Sequence, residues 1–313
     1  MNRYAPEGTL LATPENHEAL STPEGLERAL ERQTILEAVA RLCDGDLSLH
    51  FDLGGTPGIM PREEVQLLRP GEACKDIAVL TRVGKPVAFR IIGFSRDGLG
   101  RRIALLSRRA AQLECMENFI STLLPGDVVP ARITHMESFG AFVDIGCGVV
   151  SLLPIDCISV SRISHPSDRF SVGDRIHTVI RRIDGEGRIY VTHRELLGTW
   201  TENAARFSAG ETVAGIVRSV ESYGIFVELT PNLAGLAESK PGVHVGDTAA
   251  VYIKSILPDK MKIKLIVIDS HAAPQDKRIE YFLDPKTVAH LDQWIYSPEG
   301  ATKRIETVFD GKE

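Results

Sequence analysis

The 313-residue chain lacks the spacings that mark a metal centre, a disulfide framework or a catalytic site. Its five cysteines (Cys43, Cys74, Cys115, Cys147 and Cys157) include no C-x-x-C pair, and an odd number at scattered positions argues against both disulfides and zinc. They read as reduced, half-buried fillers. None of the nine histidines falls in H-x-x-x-H or H-E-x-x-H spacing, so a core or rim position is the ordinary role for each. There is no glycine-rich phosphate loop, nucleophile elbow or paired-carboxylate motif; the Asp52–Thr56 segment is a strand-turn signal without the P-loop lysine. Apolar runs such as Leu265–Ile268 fall far short of the roughly 20 residues that a bilayer span needs. Residues Met1–Leu11 lack the long apolar core of a signal peptide. The expectation is a cytoplasmic protein with no catalytic activity, no metal, no cofactor and no membrane partner.

The charge balance is unfavourable at first sight for a nucleic-acid partner. The net charge is −6, whereas phosphate binding rests on Lys and Arg. Its distribution changes that reading, because residues 1–30 and 271–313 together supply −5 of it. The nearly neutral middle holds local basic clusters: +5 over Arg90–Arg109, +3 over Arg162–Arg194, and a +3 strip containing Lys254, Lys260, Lys262 and Lys264. Solvated barrel rim is the plain alternative for much of this charge.

Internal similarity organises the chain. The segment Glu137-Ser138-Phe139-Gly140-Ala141-Phe142-Val143-Asp144-Ile145 recurs 84 residues later as Glu221-Ser222-Tyr223-Gly224-Ile225-Phe226-Val227-Glu228-Leu229. Val172-Gly173-Asp174 recurs as Val245-Gly246-Asp247 at an offset of 73, so the second copy has a shorter middle. Alternating segments near 127–136, 139–145, 149–154, 174–183 and 188–193 predict five short strands, the number and spacing of an OB-type Greek-key barrel. A third, weaker copy precedes these, with Phe51-Asp52-Leu53-Gly54 echoing Val143-Asp144-Ile145-Gly146 and a closing strand at Arg102–Ser107. Before it, Ser21-Thr22-Pro23-Glu24 reads as a capping box that opens a short helix.

The expected fold is therefore all-β: three tandem five-stranded OB-type barrels with an N-terminal helix and a small C-terminal appendage. The expected boundaries are an N-terminal extension at 1–30, barrels at 31–115, 121–200 and 205–270, and an appendage at 271–313. Within the appendage, the period of the runs Arg278–Phe282, Leu291–Tyr296 and Lys303–Phe309 is ambiguous.

The ordered set Gly126-Asp127-Val128-Val129, Ser138-Phe139-Gly140-Ala141-Phe142-Val143, Val172-Gly173-Asp174 and Arg188-Ile189-Tyr190-Val191-Thr192-His193-Arg194 resembles the RNA-binding domain of the ribosomal protein S-one family. A full-length S-one protein has more repeats, so the resemblance leaves open a ribosomal subunit, a paralogue or a shortened form. In that family one barrel face presents aromatic and basic groups to single-stranded RNA. Carried over position by position, the resemblance implies Phe139 and Phe142 as the ring pair, with Asp184, Arg188 and Arg194 beside it. In the C-terminal copy it implies Tyr223 and Phe226, with Lys262 and Lys264. Pro154 and Pro61 stand where the family often has histidine, and Glu238 and Leu257 depart from it in the last copy. The first copy has Leu47 and His50 in place of rings, which points to an impaired RNA face.

A spacing of three puts two residues on opposite faces of a regular strand, so Phe139 and Phe142 face outward together only if the chain kinks at Gly140. The implied partners are single-stranded RNA (mRNA) and the small ribosomal subunit. A competing reading, a protein-interaction adaptor or regulatory subunit of a ribonuclease or ribosome-associated complex, would be favoured by an exposed apolar patch around Trp294 and Tyr296.

Overall fold

The computed structural model describes residues 3–69, 71–273 and 278–309. They form two compact units. The first comprises Met1–Leu123 with Pro130–Arg132 and Asp144–Val150, and the second comprises Leu124–Val129, Ile133–Val143 and Ser151–Glu313.

The first unit begins with two short helices, α1 (Pro14–Ser21) and α2 (Pro23–Glu31), each preceded by a threonine and opened by a proline. Thr13 Oγ1 accepts from the Asn16 N–H and Thr22 Oγ1 from the Gly25 N–H, satisfying donors that a helix start leaves orphaned. The cap of α2 is thus Thr22 and not the expected Ser21, which ends α1 by donating its hydroxyl to the His17 carbonyl. The strands that follow are β1 (Leu36–Val39), β2 (Leu42–Cys43), β3 (Leu49–Leu53), β4 (Thr56–Met60), β5 (Pro86–Arg96) and β6 (Arg102–Ser107), in the order β1-β5-β6-β4-β3-β2.

This six-stranded sheet differs from the expected five-stranded barrel because its first strand is broken. β1 pairs with β5, whereas β2 pairs with β3. The changeover falls at one peptide, with the Ala40 N–H bonded to the Lys85 carbonyl and the Arg41 N–H to the His50 carbonyl. β1 and β2 are therefore two halves of one OB-type strand, and the chain between them closes the ring. Between β4 and β5 lies α3 (Asp76–Leu80), and β6 leads into α4 (Arg108–Asn118), a helix that the strand pattern did not announce. Its cap is Ser107, whose Oγ accepts from the Ala110 N–H at 2.8 Å.

The second closed ring contains β7 (Val128–Glu137), β8 (Gly140–Asp144), β9 (Val150–Pro154), β10 (Arg175–Ile183) and β11 (Ile189–Thr192), ordered β10-β11-β9-β8-β7. After α5 (Trp200–Ala204) comes a third ring, made of β12 (Thr212–Glu221), β13 (Gly224–Thr230), β14 (Leu233–Ala237), β15 (Thr248–Leu257) and β16 (Lys262–His271), ordered β12-β13-β14-β16-β15. Their inward-pointing residues, such as Ile133, Val143, Leu153 and Val179 in one barrel and Val217, Val227, Val251 and Leu265 in the other, are buried.

The small C-terminal segment is a strap packed on the barrels. Its strands β17 (Gln293–Ile295) and β18 (Glu306–Val308) pair, and Trp294 and Tyr296 are each only 5% exposed within the core of the last barrel. Tyr281 Oη accepts from the His177 N–H, and the Leu291 N–H is bonded to the Gly126 carbonyl, so the strap also grips the central barrel. The cysteines are all free, but Cys115, Cys147 and Cys157 are fully buried, deeper than expected.

Within the second unit, an Arg-Glu-Arg group links the central barrel to the last one. Glu228 on β13 receives Arg169 at 2.7 and 2.9 Å and Arg218 at 2.9 and 3.1 Å. Burial pushes the Glu228 carboxyl up, but the two guanidinium groups outweigh it and hold the group below its ordinary range. Asn232 adds a second pin: its Oδ1 accepts from the Val160 N–H, and its Nδ2 donates to the Arg194 and Gly198 carbonyls. Replacing Glu228 with Gln should destabilise the second unit by roughly 3–5 kcal/mol, because two buried guanidinium groups lose their counter-charge. Urea titration followed by tryptophan fluorescence checks this, and a loss under about 1 kcal/mol would show the group to be solvated.

The first unit buries a separate set of carboxylates. Glu7 takes a two-pronged bond from Arg108 at 2.6 and 3.1 Å. Asp144 accepts from the N–H groups of Glu7, Gly146 and Gly148. Glu37 accepts through Oε2 from the N–H groups of Gly8, Leu10 and Leu11, and burial, reinforced by Glu7, pushes its carboxyl up to about 7. Between the ordinary carboxylate range and that value, the folded chain holds a proton that the unfolded chain has lost. Unfolding then releases a proton, so this contribution to stability is full in acid and disappears as pH rises through 7. Melting temperatures measured from about pH 5 to 8 should fall with pH, and Glu37→Gln, which keeps an oxygen for the three donors, should flatten the slope.

Candidate nucleic-acid interface

Both ring pairs are created by a hairpin. β7 ends at Glu137 and β8 begins at Gly140, so Phe139 occupies the turn and escapes the strand's alternation. Phe142, within β8, is half-buried on the outer face, and Phe139 is 54% exposed. The two rings meet edge to face with centroids 6.0 Å apart, a preferred aromatic geometry. The same turn recurs between β12 and β13: Tyr223 is 68% exposed and meets Phe226 edge to face at 6.2 Å.

Glycine is required at both turns because the backbone of the third strand passes close by. A Cβ on Gly140 would stand 2.4 Å from the Leu153 carbonyl oxygen, and one on Gly224 would stand 2.5 Å from that of Ala237.

The outer face continues across the sheet from each pair. In the last barrel, Phe226 pairs with Leu236, Leu236 with Lys264 and Lys264 with Ser255, so ring, aliphatic side chain and ammonium form one row over four strands. Lys262 and Lys264 are both exposed on the outward side of β16. In the central barrel the corresponding row runs from Leu152 to Tyr190 to Arg182. There the register of β10 against β11 slips by one residue between Ile180 and Arg182, and the Arg182 guanidinium lies 4.3 Å from the Tyr190 ring centroid. His135 on β7 stacks on Phe142 at 6.0 Å and bonds Glu137 at 2.6 Å.

Tyr190, Arg182 and His135 were not singled out in the sequence. Tyr190 was accessible to period-2 reasoning, since Ile189 and Val191 beside it are buried. Arg182 was not, because only the bulge sets its direction.

Other expected site residues lie apart from the rows. Asp184 and Arg188 belong to the β10–β11 hairpin, where Asp184 Oδ1 accepts from the N–H groups of Arg188 and Glu186. Those bonds, Arg188's foremost, hold its carboxyl below the usual range. Arg188 itself pairs with Glu186 at 2.5 Å. Arg194 contacts Glu195, the Asp156 carbonyl and Thr307, and lies over the Trp294 ring.

The N-terminal barrel offers a different row: Leu42, His50, Ile59 and Leu105, without a ring pair. Leu47 sits in a turn at φ 61°, and His50 bonds Asp44 at 2.6 Å. The +5 cluster expected over Arg90–Arg109 is largely neutralised within its own unit. Arg90 pairs with Glu114, Arg101 with Asp97, Arg102 with Glu27, Arg108 with Glu7 and Arg109 with Glu64. Among the described residues no group of three or more metal-ligating side chains occurs, and no helix is long and apolar enough to cross a membrane.

Closed five-stranded rings of this topology define a tandem OB-fold protein, a class whose outer strand faces take oligonucleotides and oligosaccharides. Within that class, residues 123–194 match the S1 RNA binding domain, and the chain is similar to bS1 ribosomal proteins over most of its length. The small ribosomal subunit protein bS1 homolog of Bacillus cereus is 29% identical over 238 residues, covering 72% of this chain and 59% of that protein. The bS1 of Rhizobium meliloti is 29% identical over 68% of this chain and 39% of its own length. That of Leuconostoc lactis is 33% identical over 58% and 41%. The chain thus spans less than two thirds of each of these relatives.

Gly140→Ala should cost about 1–3 kcal/mol, the usual range for forcing an added carbon into a packed site. A thermal melt checks it; a neutral result would mean that the hairpin and its rings are held loosely.

Proposed function

We propose that the chain is a single-stranded RNA-binding protein, without catalytic activity, that acts in translation in the cytoplasm by engaging mRNA and the small ribosomal subunit. The observation that carries this reading is the repeated hairpin that sets two rings edge to face on the outer barrel surface, once in the segment matching the S1 RNA binding domain and once 84 residues later. Every base has a π face, so two such rings form a platform tolerant of sequence, worth about 1–3 kcal/mol per stacked base. Arg182 by Tyr190 and Lys264 by Leu236 put cations on the same strips, where phosphates run past stacked bases. In this reading the central and C-terminal barrels grip the RNA, and the N-terminal barrel is a docking or architectural unit. The patch that would have favoured an adaptor is absent from the surface, because Trp294 and Tyr296 are core residues.

Fluorescence anisotropy with a short unstructured RNA is the test. Phe139→Ala combined with Phe142→Ala should weaken binding by about 2–4 kcal/mol with little change in melting temperature. His50→Ala should leave affinity unaltered. Wild-type affinity in the folded double variant would remove the rings from the binding surface and the reading with them.

A further inference from the structure

The ring pair of the last barrel opens onto a groove whose other wall comes from the central barrel. The groove encloses about 630 Å³ and is lined by Tyr223, Phe226, Arg218 and Glu221 on one side and by the 160–164 loop, notably Ser161 and Arg162, on the other. That volume is within the range of about 300–1,000 Å³ typical of small-ligand pockets. The loop wall is fixed in place. The Val160 N–H is bonded to Asn232 Oδ1 at 3.0 Å, the Ser161 N–H to the Pro231 carbonyl at 3.1 Å, and Arg169 a few residues on is locked to Glu228.

One group in this wall is available to a ligand. Arg162 is exposed and forms no ion pair among the described residues, unlike Arg218, which Glu228 engages. A ring platform and a free guanidinium across one cleft match two parts of a single nucleotide: a base face and a phosphate. Glu221 lines the barrel side, and its carboxylate would repel a phosphate towards the loop.

We propose that this groove holds a nucleotide unit of single-stranded RNA, its base on Tyr223 and Phe226 and its phosphate on Arg162. A loop of the central barrel would then complete the binding face of its neighbour. This rests on the RNA-binding reading above and adds to it one site that neither barrel makes alone.

The test is anisotropy of the full-length protein with a fluorescein-labelled 12-nucleotide oligouridylate, within the roughly 4–16 nucleotides that one OB fold covers, at several salt concentrations. Arg162→Ala should weaken binding about three- to tenfold and reduce the salt slope by about 0.7, the share of one neutralised phosphate on a single strand. Tyr223→Ala with Phe226→Ala should weaken it at least tenfold, and adding Arg162→Ala should cost less than the product of the two effects, since both act on one nucleotide. Melting curves identify any variant that fails to fold, and Arg162→Lys should restore most of the affinity and the salt slope. If the ring variant binds weakly while Arg162→Ala matches wild type in affinity and slope, the composite groove is wrong and the RNA-binding reading stands. If the ring variant and the Phe139/Phe142 variant both bind like wild type, the RNA-binding reading itself falls.

Discussion

The second unit depends on one buried carboxylate held between two guanidinium groups. Glu228 lies on β13, the strand that also carries Phe226, and its partners come from β12 and from the segment before β10. A lone carboxylate in that position would cost several kcal/mol to desolvate, so the three side chains are stable only together. Their geometry ties a loop of one barrel to a strand of the next, and Asn232 ties it again. The ring pair and the groove beside it therefore sit on rigid parts of the fold, which limits the ordering cost that binding must meet.

The three rings share a topology but not an outer surface. Inward positions have to fill a core and are apolar in all three, whereas outward positions are free to change. Across the sheet, the central barrel has Leu152, Tyr190 and Arg182; the last barrel has Phe226, Leu236 and Lys264; the first has His50, Ile59 and Leu105. The central and last barrels each set an aromatic ring and a cation in that row, whereas the first sets His50, bonded to Asp44, among aliphatic side chains. A fold of this kind fixes where a site can be, and the outward side chains decide whether one is there.

Charge shows how far a local count can mislead. The Arg90–Arg109 stretch is the most basic in the chain, yet five of its six arginines meet carboxylates, several of them distant in sequence, as when Arg108 meets Glu7 and Arg102 meets Glu27. The stretch is an internal ionic network of the first unit. Arg162, an unremarkable residue in a weaker cluster, is exposed and unpaired among the described residues.

The repeat at an offset of 84, the glycine within each Phe/Tyr-Gly-x-Phe turn and the alternation of apolar residues were enough to read the barrels and all five strands in the central one to within a residue at each end. They were legible because they are local: period-2 burial and turn chemistry are written over a few neighbouring residues. The ring pairs were legible in the same way, although their outward pose needed Phe139 and Tyr223 to be in turns. The fate of Trp294 and Tyr296, the neutralisation of the arginine stretch, the slip that turns Arg182 onto Tyr190 and the broken first strand were decided by tertiary structure alone. Each depends on a partner tens to more than a hundred residues away or on a one-residue change in strand register, and neither leaves a periodic trace in the sequence.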